Sequence, residues 1–128
     1  MRLLLDTSAV LHVAAGSLSP PAAAALGAGG LAVVSPVIPW ELAIKVKNRK
    51  LALPQPPLEY VVNVARRYRL TFSPTGLDAA LLCAAADLPL IHRDPFDRIL
   101  IATAIRDRLS LLTPDRQIAA YPGVTTVW

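Results

Sequence analysis

The sequence predicts an α/β domain with a mostly parallel central sheet flanked by helices. Short apolar runs bounded by turn residues are typical of buried strands, because they neither alternate with polar residues nor reach helical length. Longer segments with helical periodicity separate these runs, and strands that alternate with helices predict a parallel sheet. With 128 residues, 54% of them hydrophobic, the chain is long enough to form one such domain around one core.

Four apolar runs are the predicted strands. Residues 3–5 are three leucines that end at an aspartate, and residues 31–34 lie between a glycine pair and a Ser-Pro turn. Residues 111–113 stop at a proline, and residues 124–127 are β-branched throughout, which favours extended backbone. None of the four is long enough for a helix, so we predict four strands.

Six helices are predicted around these strands. The aspartate after the first strand is a good N-cap for a helix that starts near Ala9. The other helices follow from alanine-rich or periodic composition, and prolines between residues 54 and 57 close one connection and begin the next helix. These five helices are predicted at residues 22–26, 37–48, 58–68, 77–86 and 96–109.

The composition excludes several classes of protein. Proline, glycine or charge breaks every apolar stretch well short of the roughly 18 residues that a membrane span needs. Asp6 interrupts the apolar start before it resembles a signal peptide, so a cytoplasmic protein without a membrane partner is expected. The single Cys83 excludes an internal disulfide and a cysteine-based zinc site, and is expected to be buried. A net charge of +4 suits a partner rich in phosphate or carboxylate.

Two acidic residues follow predicted strands. In a parallel sheet, ligands bind beyond the carboxyl ends of the strands. Asp6 follows the first strand and Asp115 follows the third. Both also have a structural interpretation, because an acid at the start of a helix caps it or interacts favourably with its dipole.

Two further acids lie on apolar stripes of predicted helices. The stripe that carries Glu41 also contains Val37, Trp40 and Ile44. Asp97 heads a second stripe, on a helix with mostly buried surface. A carboxylate in such a position is costly unless it is paired or bound to a cation. If the four acids converge, they require divalent cations, and oxygen-only ligands select Mg²⁺ or Mn²⁺ over zinc.

Structural interpretations remain open for the residues around these acids. Glu41 can form an i,i+4 pair with Lys45 on a surface. Asp94 precedes a proline and is a good helix N-cap, and it can also pair with Arg98. His92 has no partner at metal-binding spacing and is expected in a loop near the site.

Four segments of the chain resemble the PIN-domain ribonucleases, and among them the VapC-type toxins of bacterial type II toxin–antitoxin pairs. One matching segment lies at residues 92–102, and its Arg-Asp-Pro-Phe-Asp-Arg block at residues 93–98 is the most specific part of the resemblance. The other three matching segments lie at residues 3–8, 40–45 and 112–115. The resemblance implies one PIN domain over residues 1–128, with an acidic pocket at the carboxyl edge of its sheet.

The resemblance also implies roles for individual residues. It matches Asp6, Glu41 and Asp97 to the three core acids of the family and Asp115 to a more variable fourth. These four are the expected catalytic residues and metal ligands. The residues expected to support the metal indirectly, through its ligands, are Thr7, Thr113 and Asp94.

The implied activity is Mg²⁺-dependent hydrolysis of RNA phosphodiester bonds, with Mn²⁺ as a possible substitute. One or two ions, about 3.5–4 Å apart if both bind, activate a water and stabilise the leaving oxygen. As a toxin, the protein would inhibit translation. The implied partners are an RNA substrate, a cognate VapB-type antitoxin and a second copy of the chain in a homodimer.

Basic residues around the acids are candidates for RNA contacts. Arg93 and Arg98 flank two of the acids, and Lys45 and Lys47 begin a basic cluster that continues to residue 50. A solvated helix face and loop would explain the lysine cluster equally well, and an antitoxin docking surface is a third interpretation.

Other functions remain as alternatives at this point. A non-toxin PIN nuclease would keep the same acids, and a non-catalytic module binding RNA or protein would keep the fold without the metals. An aspartate-based phosphotransferase is disfavoured, because the segment after the first strand lacks a second early aspartate beside Asp6.

Overall fold

The computed structural model describes residues 1–128 and contains five strands and seven helices. The strands are β1 (Leu3–Leu5), β2 (Ala32–Val34), β3 (Thr71–Phe72), β4 (Ser110–Leu112) and β5 (Thr126–Val127). The helices are α1 (Thr7–Ala15), α2 (Pro20–Gly27), α3 (Val37–Lys47), α4 (Pro57–Tyr68), α5 (Ala79–Asp87), α6 (Pro95–Asp107) and α7 (Arg116–Ala119). The strand order is β3-β2-β1-β4-β5, and all four pairings are parallel. The predicted α/β class is confirmed.

The register of the sheet determines which residues meet at its carboxyl edge. In the central strand β1, Leu5 pairs with Val34 of β2 and with Leu112 of β4. Asp6 is the residue directly after β1. It therefore leaves the sheet beside the residues that follow β2 and β4. The leucines of β1 are almost fully buried, as expected for the centre of a sheet covered by helices.

Helix α3 begins at Val37, so Pro39 lies in its first turn. Backbone N–H groups of a first turn have no intrahelical acceptor, and a proline is therefore tolerated there. The helix continues inward from this turn and buries Glu41, which is 3% exposed. The prediction of one apolar stripe is wrong for Trp40, which is 56% exposed and packs edge-on against Phe96.

Several predicted elements differ from the observed ones at their ends. Strand β3 is absent from the prediction, because its two residues are too short a run to be recognised. Strand β5 keeps only the last two of the four predicted residues. The prediction that Cys83 is buried is wrong, since only Leu81 and Ala85 of α5 are buried.

No single helix is both long and apolar enough to cross a membrane. Helices α1 and α2 meet the length and composition criteria only when taken together, and they are bent by 89° relative to each other.

Candidate metal centre

The four predicted acids line one cavity at the carboxyl edge of the sheet. The cavity has a volume of about 370 Å³, and only one of its ten lining residues is hydrophobic. Its lining includes Asp6, Glu41, Asp97, Asp115, Asp94 and Lys45. Residues from β1, α3, α6 and the end of β4, far apart in the sequence, thus meet in space. A cavity this polar suits an ion or a charged substrate rather than an apolar ligand.

Asp6 both caps a helix and faces the cavity. Its Oδ1 accepts a hydrogen bond of 2.7 Å from the backbone N–H of Ala9, and its Oδ2 accepts one from the hydroxyl of Thr113. The residue is 3% exposed. Burial raises the pKa of Asp6 to about 6, against the hydrogen bond from Thr113, which lowers it. The structural and functional interpretations of this residue are therefore compatible.

Glu41 is held at both of its carboxylate oxygens. Thr7 donates a hydrogen bond of 2.6 Å from Oγ1 to Oε1, and Lys45 Nζ lies 2.7 Å from Oε2. The ion pair with Lys45 is thus present, but one partner is buried rather than on a surface. Thr7 and Thr113, both buried, orient one site carboxylate each.

Asp97 is the acid least compensated by its surroundings. Its Oδ2 lies 2.9 Å from Nε2 of His92, and Oδ1 has no hydrogen-bond partner. Burial, together with the neighbouring carboxylates of Asp94, Glu41 and Asp6, raises the pKa of Asp97 to about 7. His92 acts in the opposite direction. A bound cation would offset this penalty.

Asp115 lies at the rim of the cavity and caps α7. Its Oδ1 accepts a hydrogen bond of 2.8 Å from the backbone N–H of Gln117, and its Oδ2 lies 3.1 Å from His92 Nε2. The side chain of Asp115 is 33% exposed, more than the other three acids. Sequence reasoning placed His92 near the site but missed its contacts with Asp97 and Asp115.

The structure corrects the prediction that Arg98 contacts RNA. Arg98 is 7% exposed, and its guanidinium lies under the connection between α5 and α6. It donates hydrogen bonds of 2.8–3.2 Å to the carbonyls of Ala86, Leu88, Pro89 and His92 and to the hydroxyl of Tyr121. The predicted ion pair between Arg98 and Asp94 is absent for the same reason. Asp94 instead caps α6, where its Oδ1 accepts from the N–H of Phe96 at 2.8 Å.

The other predicted RNA-contacting residues remain accessible. Arg93 and Lys47 are exposed, and Lys45 lines the cavity while its side chain is 45% exposed. The cavity and its surroundings therefore carry both carboxylates and cationic side chains.

Comparison with known proteins identifies the class to which this fold and cavity belong. The PIN domain model matches residues 3–124, nearly the whole chain, and the chain belongs to the PIN domain family. It is similar to Ribonuclease VapC22 of Mycobacterium tuberculosis, with 32% identity over 95 residues that cover 71% of this chain and 70% of that protein. The predicted resemblance to VapC-type ribonucleases is confirmed.

A solved structure supports the fold independently. The chain matches the crystal structure of VapBC2 from Rickettsia felis bound to a DNA fragment from their promoter, with a TM-score of 0.71. The match covers 98% of this chain and 97% of that chain at 14% sequence identity. At this level of identity the similarity shows the fold alone, and it confirms the predicted PIN architecture.

The raised pKa of Asp97 predicts how the stability of the metal-free protein depends on pH. An unfolded aspartate titrates near 4, so between pH 4 and 7 the folded state binds more protons than the unfolded state. The contribution of Asp97 to the free energy of unfolding is therefore fully present below pH 4 and is lost as the pH rises through 7. Because solvent screens a half-buried carboxyl, we expect a loss of about 1–2 kcal/mol.

Urea unfolding in the presence of a chelator, at pH 4.5, 6 and 7.5, measures this effect. Asp97→Asn removes the titrating group at nearly constant volume and serves as the control. The difference in stability between the variant and the wild type should grow in favour of the variant as the pH rises. Identical pH dependence in the two proteins would contradict the assignment.

Proposed function

We propose that the chain is a metal-dependent endoribonuclease that acts as the toxin of a type II toxin–antitoxin pair and inhibits translation. The observation that carries the proposal is the meeting of Asp6, Glu41 and Asp97 in one polar cavity. Membership of the PIN domain family and the similarity to Ribonuclease VapC22 support the reaction class. We place its activity in the cytoplasm, where RNA is available.

The donor atoms of the cavity fit a hard divalent cation. All four acids offer oxygen, and no cysteine lines the cavity, which favours Mg²⁺ or Mn²⁺ over zinc. We propose Asp6, Glu41 and Asp97 as the ligands and catalytic residues, with Asp115 completing the set from the rim. When bound, the ion supplies positive charge beside the scissile phosphate and lowers the pKa of a water.

The protein's own contribution is to hold these ligands before the ion arrives. Both oxygens of Asp6 and both oxygens of Glu41 have hydrogen-bond or ionic partners, so these side chains are fixed in orientation. Asp97 keeps Oδ1 free for a cation. A preorganised cluster of this kind loses little entropy on binding the metal and the phosphate.

RNA would reach the cavity along its basic rim. We propose Lys45, Lys47 and Arg93 as phosphate contacts, because they are accessible and close in sequence to site acids. Contacts of this kind give affinity that falls as salt concentration rises. Arg98 has no part in this surface, since its donors are engaged inside the domain.

Expression and cleavage assays test the proposed function. The purified chain should cut RNA with Mg²⁺ and lose this activity when the metal is chelated. Expression of the intact chain should arrest bacterial growth, and co-expression of a VapB-type antitoxin encoded beside it should restore growth. Cleavage without toxicity would indicate a non-toxin PIN nuclease, and RNA binding without cleavage in any divalent cation would indicate a binding module.

An exposed apolar face supports the proposed homodimer. On α5 and the following connection, Leu82 is 45% exposed, Leu90 87% and Ile91 41%, and Cys83 is exposed beside them. Exposed apolar side chains that lie this close in sequence favour a protein interface. We propose that a second copy of the chain covers it.

An acidic side chain introduced into this apolar face by substitution is expected to prevent dimer formation. Leu82→Asp should be monomeric in sedimentation equilibrium at concentrations where the wild type is a dimer, because an unpaired carboxylate would be buried at the interface. Leu58→Asp, which changes a leucine that is 61% exposed on α4, is the matched control and should remain dimeric. A Leu82→Asp variant that stays dimeric would place the interface elsewhere.

A further inference from the structure

His92 occupies the space between two of the site carboxylates. Its Nε2 lies 2.9 Å from Oδ2 of Asp97 and 3.1 Å from Oδ2 of Asp115. The other ring nitrogen, Nδ1, accepts a hydrogen bond of 3.2 Å from the backbone N–H of Asp94. Both nitrogens of the imidazole therefore have polar partners: Nε2 has carboxylates, and Nδ1 has a backbone N–H.

The contact with Asp94 determines which nitrogen of the neutral ring carries the proton. A backbone N–H can only donate, so Nδ1 must offer its lone pair and has no hydrogen. In the neutral imidazole the hydrogen is then on Nε2, which donates to Oδ2 of Asp115 and lies against Oδ2 of Asp97 without a hydrogen bond to it. A nitrogen that carries hydrogen has no lone pair for a metal. Ligand atoms of His92, Asp97 and Asp115 lie within 4.8 Å of one another, but the histidine in this tautomer is a donor to Asp115 and not a third ligand.

Buried groups hold the backbone of His92 in place. The hydroxyl of Tyr121 accepts from the N–H of His92 at 2.7 Å and donates to its carbonyl at 3.2 Å. Arg98 donates to the same carbonyl at 3.2 Å and to the hydroxyl of Tyr121 at 3.2 Å. Tyr121 and Arg98 are 2% and 7% exposed. The imidazole is thus presented to the acids from a rigid support.

We propose that His92 is a positioning residue of the metal centre. Its Nε2–H donates to Oδ2 of Asp115, and the same nitrogen lies 2.9 Å from Oδ2 of Asp97, a residue that lines the cavity. The inference rests on the proposed metal-dependent function and deepens it, because it assigns the ligand set to oxygen atoms alone. Groups that orient metal ligands in this way typically change metal affinity about 10-fold to 100-fold when removed.

Two variants separate positioning from ligation. His92→Ala removes the donor, and Mn²⁺ affinity measured by electron paramagnetic resonance should fall about 10-fold to 100-fold. His92→Gln places an amide N–H near the position of Nε2 and should restore most of this affinity. His12→Ala, which changes the other histidine of the chain, should bind Mn²⁺ like the wild type. Thermal unfolding with a chelator shows that each variant is folded.

The tautomer is measured directly on the metal-free wild type. Long-range ¹H–¹⁵N correlation spectra should show Nε2 protonated and Nδ1 unprotonated, with His12→Ala identifying which signals belong to His92. A proton on Nδ1, unchanged affinity in His92→Ala, or a His92→Gln variant as weak as His92→Ala would overturn the inference while the metal centre stands. A wild type that binds no Mn²⁺ would overturn the proposed function and this inference together.

Discussion

Replacing Asp97 with asparagine is expected to reduce Mg²⁺-dependent RNA cleavage by at least about 100-fold, because a direct ligand contributes more than the orienting groups around it. Asparagine keeps the shape of the side chain but removes the charge that attracts the cation. Oδ1 of Asp97 is free in the cavity, so no structural hydrogen bond is lost at that atom. The fold should therefore persist, and the metal-free variant should be more stable than the wild type at neutral pH.

The matched control for this variant is Asp107→Asn on the same helix. Asp107 lies outside the cavity and pairs with Arg106 and Thr75. Cleavage of a fluorescent RNA over a range of Mg²⁺ concentrations should separate the two variants, with Asp107→Asn retaining full activity. If Asp97→Asn cleaves RNA at the wild-type rate, Asp97 is not a ligand and the proposed mechanism fails.

Replacing Arg98 with alanine is expected to lower the free energy of unfolding by about 3–5 kcal/mol, because several buried acceptors lose their donor at once. The carbonyls of Ala86 and Leu88 at the end of α5 would be left without this partner. Truncation also removes a large buried side chain and leaves a cavity behind. Urea unfolding followed by tryptophan fluorescence measures the change.

Arg93→Ala provides the contrast, since Arg93 is an exposed neighbour in the same motif. Its stability should stay within about 0.5 kcal/mol of the wild type, while its RNA affinity falls in a salt-dependent manner. An Arg98→Ala protein that is as stable as the wild type, with weakened RNA binding, would restore the prediction that Arg98 contacts RNA.

The convergence of the acids was predictable from the sequence because parallel strands align their carboxyl ends. Asp6 and Asp115 each follow an apolar run. Since both runs are predicted strands of one parallel sheet, both acids are expected at the same edge of that sheet. Helical periodicity places Glu41 on the buried side of α3. The predicted helix caps at Asp6 and Asp94 are also local features, and the structure shows both.

The burial of Arg98 could not be predicted from the local sequence pattern. Its position in α6 allows a surface pair with Asp94 equally well. The choice depends on the end of α5 and the following connection, whose carbonyls surround the guanidinium. The contact between His92 and Asp115 is equally nonlocal, because it joins residues 23 positions apart through the packing of a loop on β4 and α7.

The most direct test of a metal centre built from these acids is anomalous X-ray scattering from crystals grown with Mn²⁺. We predict an anomalous peak inside the cavity, with carboxylate oxygens of Asp6, Glu41 and Asp97 at coordination distance, and with His92 hydrogen-bonded to Asp115 and not coordinated to the ion. The absence of a peak in the cavity at a Mn²⁺ concentration that supports RNA cleavage would contradict this metal centre. A peak found only elsewhere on the domain would contradict it as well.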